Sequence, residues 1–283
     1  MGSEERNTAA PGSDAEPPPL YRDVDATQRN ERLLDTMDAT ASWAAVRELR
    51  SWCEPAITAG DSLLDVGCGL AEESIRLATR HPALAVTGLD VSSEMIAMAQ
   101  QRASGRSTAI ELRVGDATAL PFDDHEFDAV RSERMLQWLD QPESALHEMV
   151  RVAAPGGTIA LIDTDWRTFV TSVGDGTAEQ MLGGPSPTSS AGGRLRSWAH
   201  AAGLVNIESH AAVHHTHRVL GDGTDGLIPF DQFIELHTAR GHAREAVEHY
   251  IAELRRHSAD GTLSLSLTMW AVTATVPERA RTD

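Results

Sequence analysis

Between Ser62 and Asp163 the chain alternates short apolar runs with stretches of helical period, and this alternation limits the fold more than any other feature. Ser62–Val66, Leu84–Asp90, Ile110–Val114, Phe127–Arg131 and Thr158–Asp163 read as five strands, short and bounded by turn residues. Between them, Glu72–Arg80 has helical spacing, as does the segment through Met95, Ile96 and Ala99, which Ser92 is placed to cap. Pro142–Val152 is a third helix with proline in its first turn, and Pro155-Gly156-Gly157 a turn after it. Strands alternating with helices predict βαβ units, hence a doubly wound α/β core around a mostly parallel sheet.

The flanks follow other rhythms. Residues 1–27 are polar and proline-rich, with little to bury, and read as a solvated tail. From Asn30 to Cys53, Leu33, Leu34 and Met37, then Val46, Leu49 and Cys53, predict two helices broken near Asp38–Ser42, with Thr40 or Ser42 capping the second. Past the fifth strand, Gly183–Gly193 is a low-complexity loop, and a helix runs through Leu195, Trp198 and Ala202. Val205–Val219 alternates, placing Val205, Ile207, Ala211 and Val213 on one face. Helices around Phe230–Ala239 and His242–His257 precede a closing strand, Leu263–Val276. The last two strands pair as an antiparallel edge, with the two helices inserted as a cap. The expected organisation is a tail (1–27) and one domain (28–283): an N-terminal helical lid (28–60), a ligand-binding core (61–170), and a C-terminal part (171–283) with a helical insertion (221–260).

Composition narrows the partners. Twenty-four basic against 42 acidic residues leave a net charge of −18, which repels nucleic acid and anionic membranes. No stretch approaches the roughly 18 apolar residues of a spanning helix, and the N-terminus lacks the apolar core of a signal peptide. A cytoplasmic location and a small-molecule partner are expected; the homo-oligomeric state stays open. Cys53 and Cys68 lack metal-type spacing. His210, His214, His215 and His217 lie on an alternating strand that splits them between two faces, so no metal is expected.

The chemistry concentrates in Leu63-Leu64-Asp65-Val66-Gly67-Cys68-Gly69-Leu70-Ala71. A glycine-rich turn between a first strand and first helix lets a ligand approach the backbone. Asp65 puts a carboxylate where a pyrophosphate would otherwise sit, which disfavours a dinucleotide and favours an ammonium. Asp90 ends the second strand, 21 residues past Gly69, where a carboxylate accepts hydrogen bonds from ribose hydroxyls. Asp116, 26 residues further on, is suited to an exocyclic adenine amine, and the small Ala117 leaves room for the ring. Asp90 and Asp116 also have a structural alternative, as cap or turn residues. S-adenosylmethionine presents ammonium, ribose and adenine in that order.

LLDVGCG, GLDVSSEM, VGDATALPF, FDAVRSERMLQWL and APGGTIALID occur in the order and with gaps similar to those of the class I S-adenosylmethionine-dependent methyltransferases. The branch resembled includes ubiquinone, menaquinone and natural-product enzymes, and the resemblance covers about Ser62 to Asp165. It implies a seven-stranded Rossmann-like sheet with an antiparallel edge strand and a helical cap. It also implies methyl transfer to a small-molecule acceptor in natural-product or cofactor metabolism, leaving S-adenosylhomocysteine. By that resemblance Asp65, Gly67, Cys68 and Gly69 contact the methionine portion, Asp90 and Val91 the ribose side, Asp116 and Ala117 the adenine, and Ser132 the far wall. Ala71 departs from the family's third glycine, which implies a slightly shifted turn.

For the acceptor, Asp163-Thr164-Asp165-Trp166 ends the fifth strand on the ligand side of such a sheet. Asp165 is the candidate to position or deprotonate it; Tyr21, Glu133, Gln137, Asp163 and Trp166 are candidates to bind it. Tyr21–Met37 and the two late helices are expected to close over the site, with Gly183–Gly193 supplying mobility. Three alternatives stand beside methyl transfer: a cyclase or isomerase holding the same cofactor structurally, a nicotinamide oxidoreductase, and a noncatalytic binding module. The run Gly69-Leu70-Ala71-Glu72 lacks the full dinucleotide pattern and argues against the second.

Overall fold

A computed structural model describes residues 37–105, 110–173, 190–219, 230–239 and 241–278. Tyr21, the tail 1–27, residues 28–36 of the expected lid and residues 183–189 of the glycine-rich loop lie outside them.

Seven strands form one sheet: β1 Ser62–Val66, β2 Ala85–Asp90, β3 Ile110–Val114, β4 Phe127–Glu133, β5 Ala153–Thr171, β6 Val205–Thr216 and β7 Leu265–Thr275. Their order is β3-β2-β1-β4-β5-β7-β6. The pairings from β3 to β5 are parallel, while β7 runs antiparallel to both β5 and β6. The winding reverses between β1 and β4, and at such a switch point the connections leave in opposite directions and open a crevice at the carboxyl ends.

The helices are α1 Ala44–Ile57, α2 Glu72–Arg80, α3 Ser93–Ser104, α4 Pro142–Val152, α5 Ala191–Ala201, α6 Phe230–Ala239 and α7 Arg244–Ala259. They cover the sheet from both sides, as buried β1 and β4 demand. On one face Val46, Leu49, Cys53 and Ile57 of α1 join Ile162, Met269 and the α7 stripe Val247, Tyr250, Ile251 and Leu254. On the other, Leu146 and Met149 of α4 and Leu195 and Trp198 of α5 pack on Val130, Ile159 and Leu161.

The strand-to-helix boundaries around the first βαβ unit fall where the apolar runs place them; differences arise where tertiary contacts outweigh local pattern. Neither Thr40 nor Ser42 caps α1: their hydroxyls bond back to the Met37 and Ala39 carbonyls, and Trp43 holds the cap position with no capping bond from its side chain. Ser92 does cap α3, accepting from Met95 N at 3.1 Å. Pro155-Gly156-Gly157 is absorbed into a 19-residue β5, with Gly156 at φ +79°.

The inward face of β6 is Ala212, His214 and Thr216, whereas Val205 and Val213 are exposed. Asn206 has positive φ and the register slips between Val205 and Glu208, so the alternation read from the strand's start does not carry through it. Residues 191–193, expected in a loop, open α5. Their glycines permit its close approach to β5: a Cβ on Gly192 would lie 2.6 Å from the Asp163 carbonyl oxygen.

The cap assignment generates a stability test. Ser92→Ala is expected to cost about 1 kcal/mol in urea unfolding, whereas Ser42→Ala, whose hydroxyl caps nothing, changes stability by less than about 0.5 kcal/mol.

Candidate functional site

A cavity of about 410 Å³ opens at the carboxyl ends of β1 to β5. The turns after the strands supply its lining: Gly67 and Gly69 after β1, Asp90 and Val91 at β2, Asp116, Ala117 and Thr118 after β3. Glu133 to Gln141 border it from the β4 side (Leu136 excepted), Thr164 and Trp166 from β5, and Met37, Thr40 and Trp43 from the approach to α1. Among the described residues, α6 and α7 contribute nothing to this lining. Of the predicted site residues, Gly67, Gly69, Asp90, Val91, Asp116, Ala117, Glu133, Gln137 and Trp166 meet here.

The glycine turn is held tightly against β2. Gly67 N and Cys68 N both donate to the Leu89 carbonyl, at 2.8 and 3.0 Å. Gly67 and Gly69 have φ of +73° and +53°, and a Cβ on either would come within 3 Å of the Met135 or Met37 side chain. Ala71 takes φ 53° where a third glycine was expected, so a methyl-bearing residue carries that left-handed backbone. Asp90 fastens the turn from the side: Oδ2 accepts from Gly69 N at 2.8 Å and Oδ1 from Ser92 N at 3.0 Å. Asp116 Oδ1 accepts from Thr118 N and Thr118 Oγ1, both at 2.8 Å, in a local turn. These two acids therefore combine a structural bond with a place in the cavity wall.

Beneath the turn lies an ionic network that sequence reasoning missed. Arg131 of β4 and Asp65 of β1 are register partners, and Arg131 Nη1 lies 2.8 Å from each Asp65 oxygen, with Ser74 Oγ donating to the same carboxylate. Arg131 Nη2 donates to Glu133 at 2.8 Å. Arg50 of α1 grips both Glu133 oxygens, at 2.8 and 2.9 Å, and reaches Glu72 and Glu73 of α2. Burial opposes ionisation of Glu133, but Arg50 and Arg131 outweigh it and hold its carboxyl well below the usual range. The signal was an arginine in an otherwise apolar strand beside a strand carrying an aspartate, which only strand order brings together.

Several expected contacts are redirected. Asp65 lines only a smaller pocket of about 70 Å³, which shares Met37, Gly67, Glu133 and Arg134 with the main cavity, and its carboxylate is already engaged by Arg131 and Ser74. Cys68 lines that pocket too; burial and the nearby Asp65 and Asp90 carboxylates push its thiol up, leaving it protonated. Ser132 is not in the lining: alternation along β4 turns it with Val130 toward the α4–α5 core, where its hydroxyl has no partner among the described residues.

Asp165 is also turned away. Thr164 and Trp166 face the cavity, so Asp165 between them faces α5, where Arg167 holds both its oxygens at 3.1 Å. Asp163 is on the same side and 1% exposed; it accepts from Gln137 N at 3.1 Å and Thr164 N at 2.8 Å, so it supports the wall without touching the cavity. Burial, only partly offset by those amide bonds, lifts its carboxyl from 3.8 to about 7. Gln137 Oε1 in turn accepts from Trp166 Nε1 at 2.6 Å. The histidines of β6 are dispersed: His214 stacks on Trp43 with ring centroids 3.7 Å apart, and His210 bonds Glu48 at 2.8 Å.

Sheet order, switch point and a glycine turn beside acidic strand ends define a doubly wound α/β fold with a crevice at the carboxyl ends of its strands. Residues 64–161 match a family described as a methyltransferase domain. Over 107 residues the chain is 39% identical to demethylmenaquinone methyltransferase of Desulfitobacterium hafniense, covering 37% of this chain and 42% of that protein. Over 109 residues it is 35% identical to 27-O-demethylrifamycin SV methyltransferase of Amycolatopsis mediterranei, covering 38% and 40%. The chain thus spans less than half the length of these two relatives. Among solved structures, the [4+2]-cyclase SpnF shares the fold at TM-score 0.56 and 22% identity, over 89% of this chain and 95% of that one. Residues 64–161 are thus similar to a methyltransferase domain, and the relatives that share this stretch include quinone and natural-product methyltransferases. Among the described residues no helix is long and apolar enough to cross a membrane.

Two measurements probe this architecture. Arg131→Met leaves the buried Asp65 carboxylate without its cation, while Glu133 keeps Arg50, and is expected to cost about 3–5 kcal/mol in urea unfolding. The raised Asp163 carboxyl stabilises the fold most below pH 4, its protonated range in both states, and that contribution is lost as pH rises to about 7. Urea unfolding of wild type and Asp163→Asn between pH 4 and 8 should therefore show the wild type losing stability relative to the variant as pH rises.

Proposed function

We propose that the protein transfers a methyl group from S-adenosylmethionine to a small-molecule acceptor. One observation carries this reading: carboxylates from the ends of adjacent β2 and β3 share a cavity with a glycine turn too close-packed for side chains. The donor set fits the cofactor. Asp116 offers an acceptor to the adenine amine and Ala117 leaves space for the ring; Asp90 offers one to the ribose hydroxyls, with Val91 beside it. Gly67 and Gly69 admit the methionine portion to the backbone, and the smaller pocket, lined by Asp65 and Cys68, suits its amino-acid end. Carboxylates around a cation are favourable in a site of restricted solvent.

When bound, the cofactor would supply a methyl group already activated by a positive sulfonium, open to in-line displacement. Little covalent assistance is then needed, and the chain contributes proximity and orientation. Trp166, held by Gln137, and Thr164 flank the end of the cavity beyond β1, where the acceptor must lie if the nucleoside occupies the β3–β1 end. Asp165, held by Arg167, is withdrawn as the base. The names of the relatives, a quinone and a rifamycin methyltransferase, support a place in cofactor or natural-product metabolism.

Calorimetric titration with S-adenosylhomocysteine and with NADH tests the cofactor: tight binding of the first alone is expected, and of NADH alone would sink the reading. Asp90→Ala should weaken S-adenosylhomocysteine by about 1–3 kcal/mol, and Gly67→Val, clashing with Met135 at positive φ, by more. Methyl-labelled cofactor incubated with candidate acceptors tests the reaction. Acceptor converted without label favours the cyclase or isomerase alternative.

A further inference from the structure

Three of the six tryptophans, Trp43, Trp138 and Trp166, line this one cavity, although aromatic residues make up only 5% of the chain. They come from separate elements: the N-terminus of α1, the turn of 3₁₀ helix Leu136–Trp138 after β4, and β5. None stands at the β3 or β2 end. Strands are spaced about 4.8 Å apart, so β3 and β5 lie roughly 19 Å from each other across the cavity mouth. A nucleoside held by Asp116 and Asp90 leaves the tryptophan end to the other reactant.

Two of these indoles are fixed by the protein. Trp166 Nε1 is anchored on Gln137 Oε1 at 2.6 Å, and Gln137 on Asp163 through its backbone amide. Trp43 is backed by His214, nearly parallel to it at 12°. A pinned indole offers a flat surface without the entropy loss of ordering it, so it favours ligands that stack over ligands that merely fill space. The same end carries mixed charge: Arg134 lies 3.5 Å from Glu133 and bonds Thr40, and Asp140 lines the cavity beside them, so the indoles rather than a net charge distinguish this end.

We infer that the β4–β5 end of the cavity is a stacking site for a planar aromatic acceptor, with Trp166 and Trp138, the two of the three indoles that are only half-buried, as specificity-determining residues. This rests on the proposed cofactor placement, which leaves that end to the acceptor. The test compares two probes with one bicyclic skeleton and one hydroxyl, flat 1-naphthol and puckered decahydro-1-naphthol, titrated into protein saturated with S-adenosylhomocysteine.

The flat probe should bind at least about tenfold more tightly. Trp166→Leu and Trp138→Leu should each erase most of that preference while leaving S-adenosylhomocysteine affinity within about twofold, and Trp166→Phe should retain it. Two variants and the cofactor affinity separate loss of stacking from loss of fold. Equal affinity for the two probes, or a preference that survives both leucine variants, would overturn the inference. Failure of S-adenosylhomocysteine to bind sinks the cofactor placement instead, and the probe pair then reads the tryptophan wall on the protein alone.

Discussion

The buried pairing of Arg131 with Asp65 is the constraint from which the site follows. The two residues face each other across β4 and β1, the strands that meet at the switch point, with side chains only 5% and 3% exposed. Two isolated charges at that depth would each cost several kcal/mol of desolvation, so neither is tolerable without the other. The pair therefore selects register: slipping β4 by one residue would put Arg131 among the apolar side chains of α4 and α5 and bury both charges unpaired. Glu133 and Arg50 extend the same logic outward, tying α1 and the start of α2 to the sheet just below the glycine turn.

That foundation explains how a left-handed turn with a strained Ala71 stays in place. Three attachments converge on the turn: Asp65 below, bonded by Ser74, the Leu89 carbonyl accepting two amides from one side, and Asp90 accepting Gly69 N. Backbone strain of this kind persists where its surroundings over-determine it. Asp90 and Asp116 consequently serve the backbone with particular oxygens and remain in the cavity wall, so the structural and functional readings of these acids are compatible.

The alternation of periods made the core legible because β1 and β4 are buried on both faces and read as nearly continuous apolar runs. The glycine turn and strand-end acids were legible for a related reason: their positions are set by chain connectivity. What sequence did not disclose depends on which face a side chain takes or on partners distant in the chain. Asp165 looked equivalent to its neighbours until β5 alternation and Arg167 separated it from Thr164 and Trp166. Val205 and Val213 read as sharing one face until the register slip near Asn206 broke the alternation, leaving both exposed and turning His214 inward onto Trp43. Arg50 and Glu133 are 83 residues apart, and no local pattern marks them as partners.

Charge also has to be counted after pairing. By sequence, Asp65, Asp90 and Asp116 make one acidic series, and the net −18 reinforces the impression of a uniformly negative site. In the folded chain the Asp65 and Glu133 charges are taken up by Arg131 and Arg50, so their fields largely cancel within the network. Carboxylates line the cavity at both ends, Asp90 and Asp116 beside β2 and β3, and Asp140 with the Glu133–Arg134 pair beside β4, so charge alone does not divide it. The indoles do: Trp43, Trp138 and Trp166 all stand toward β4 and β5, and none toward β2 and β3, so a polar end and an aromatic end follow one another along the strand order.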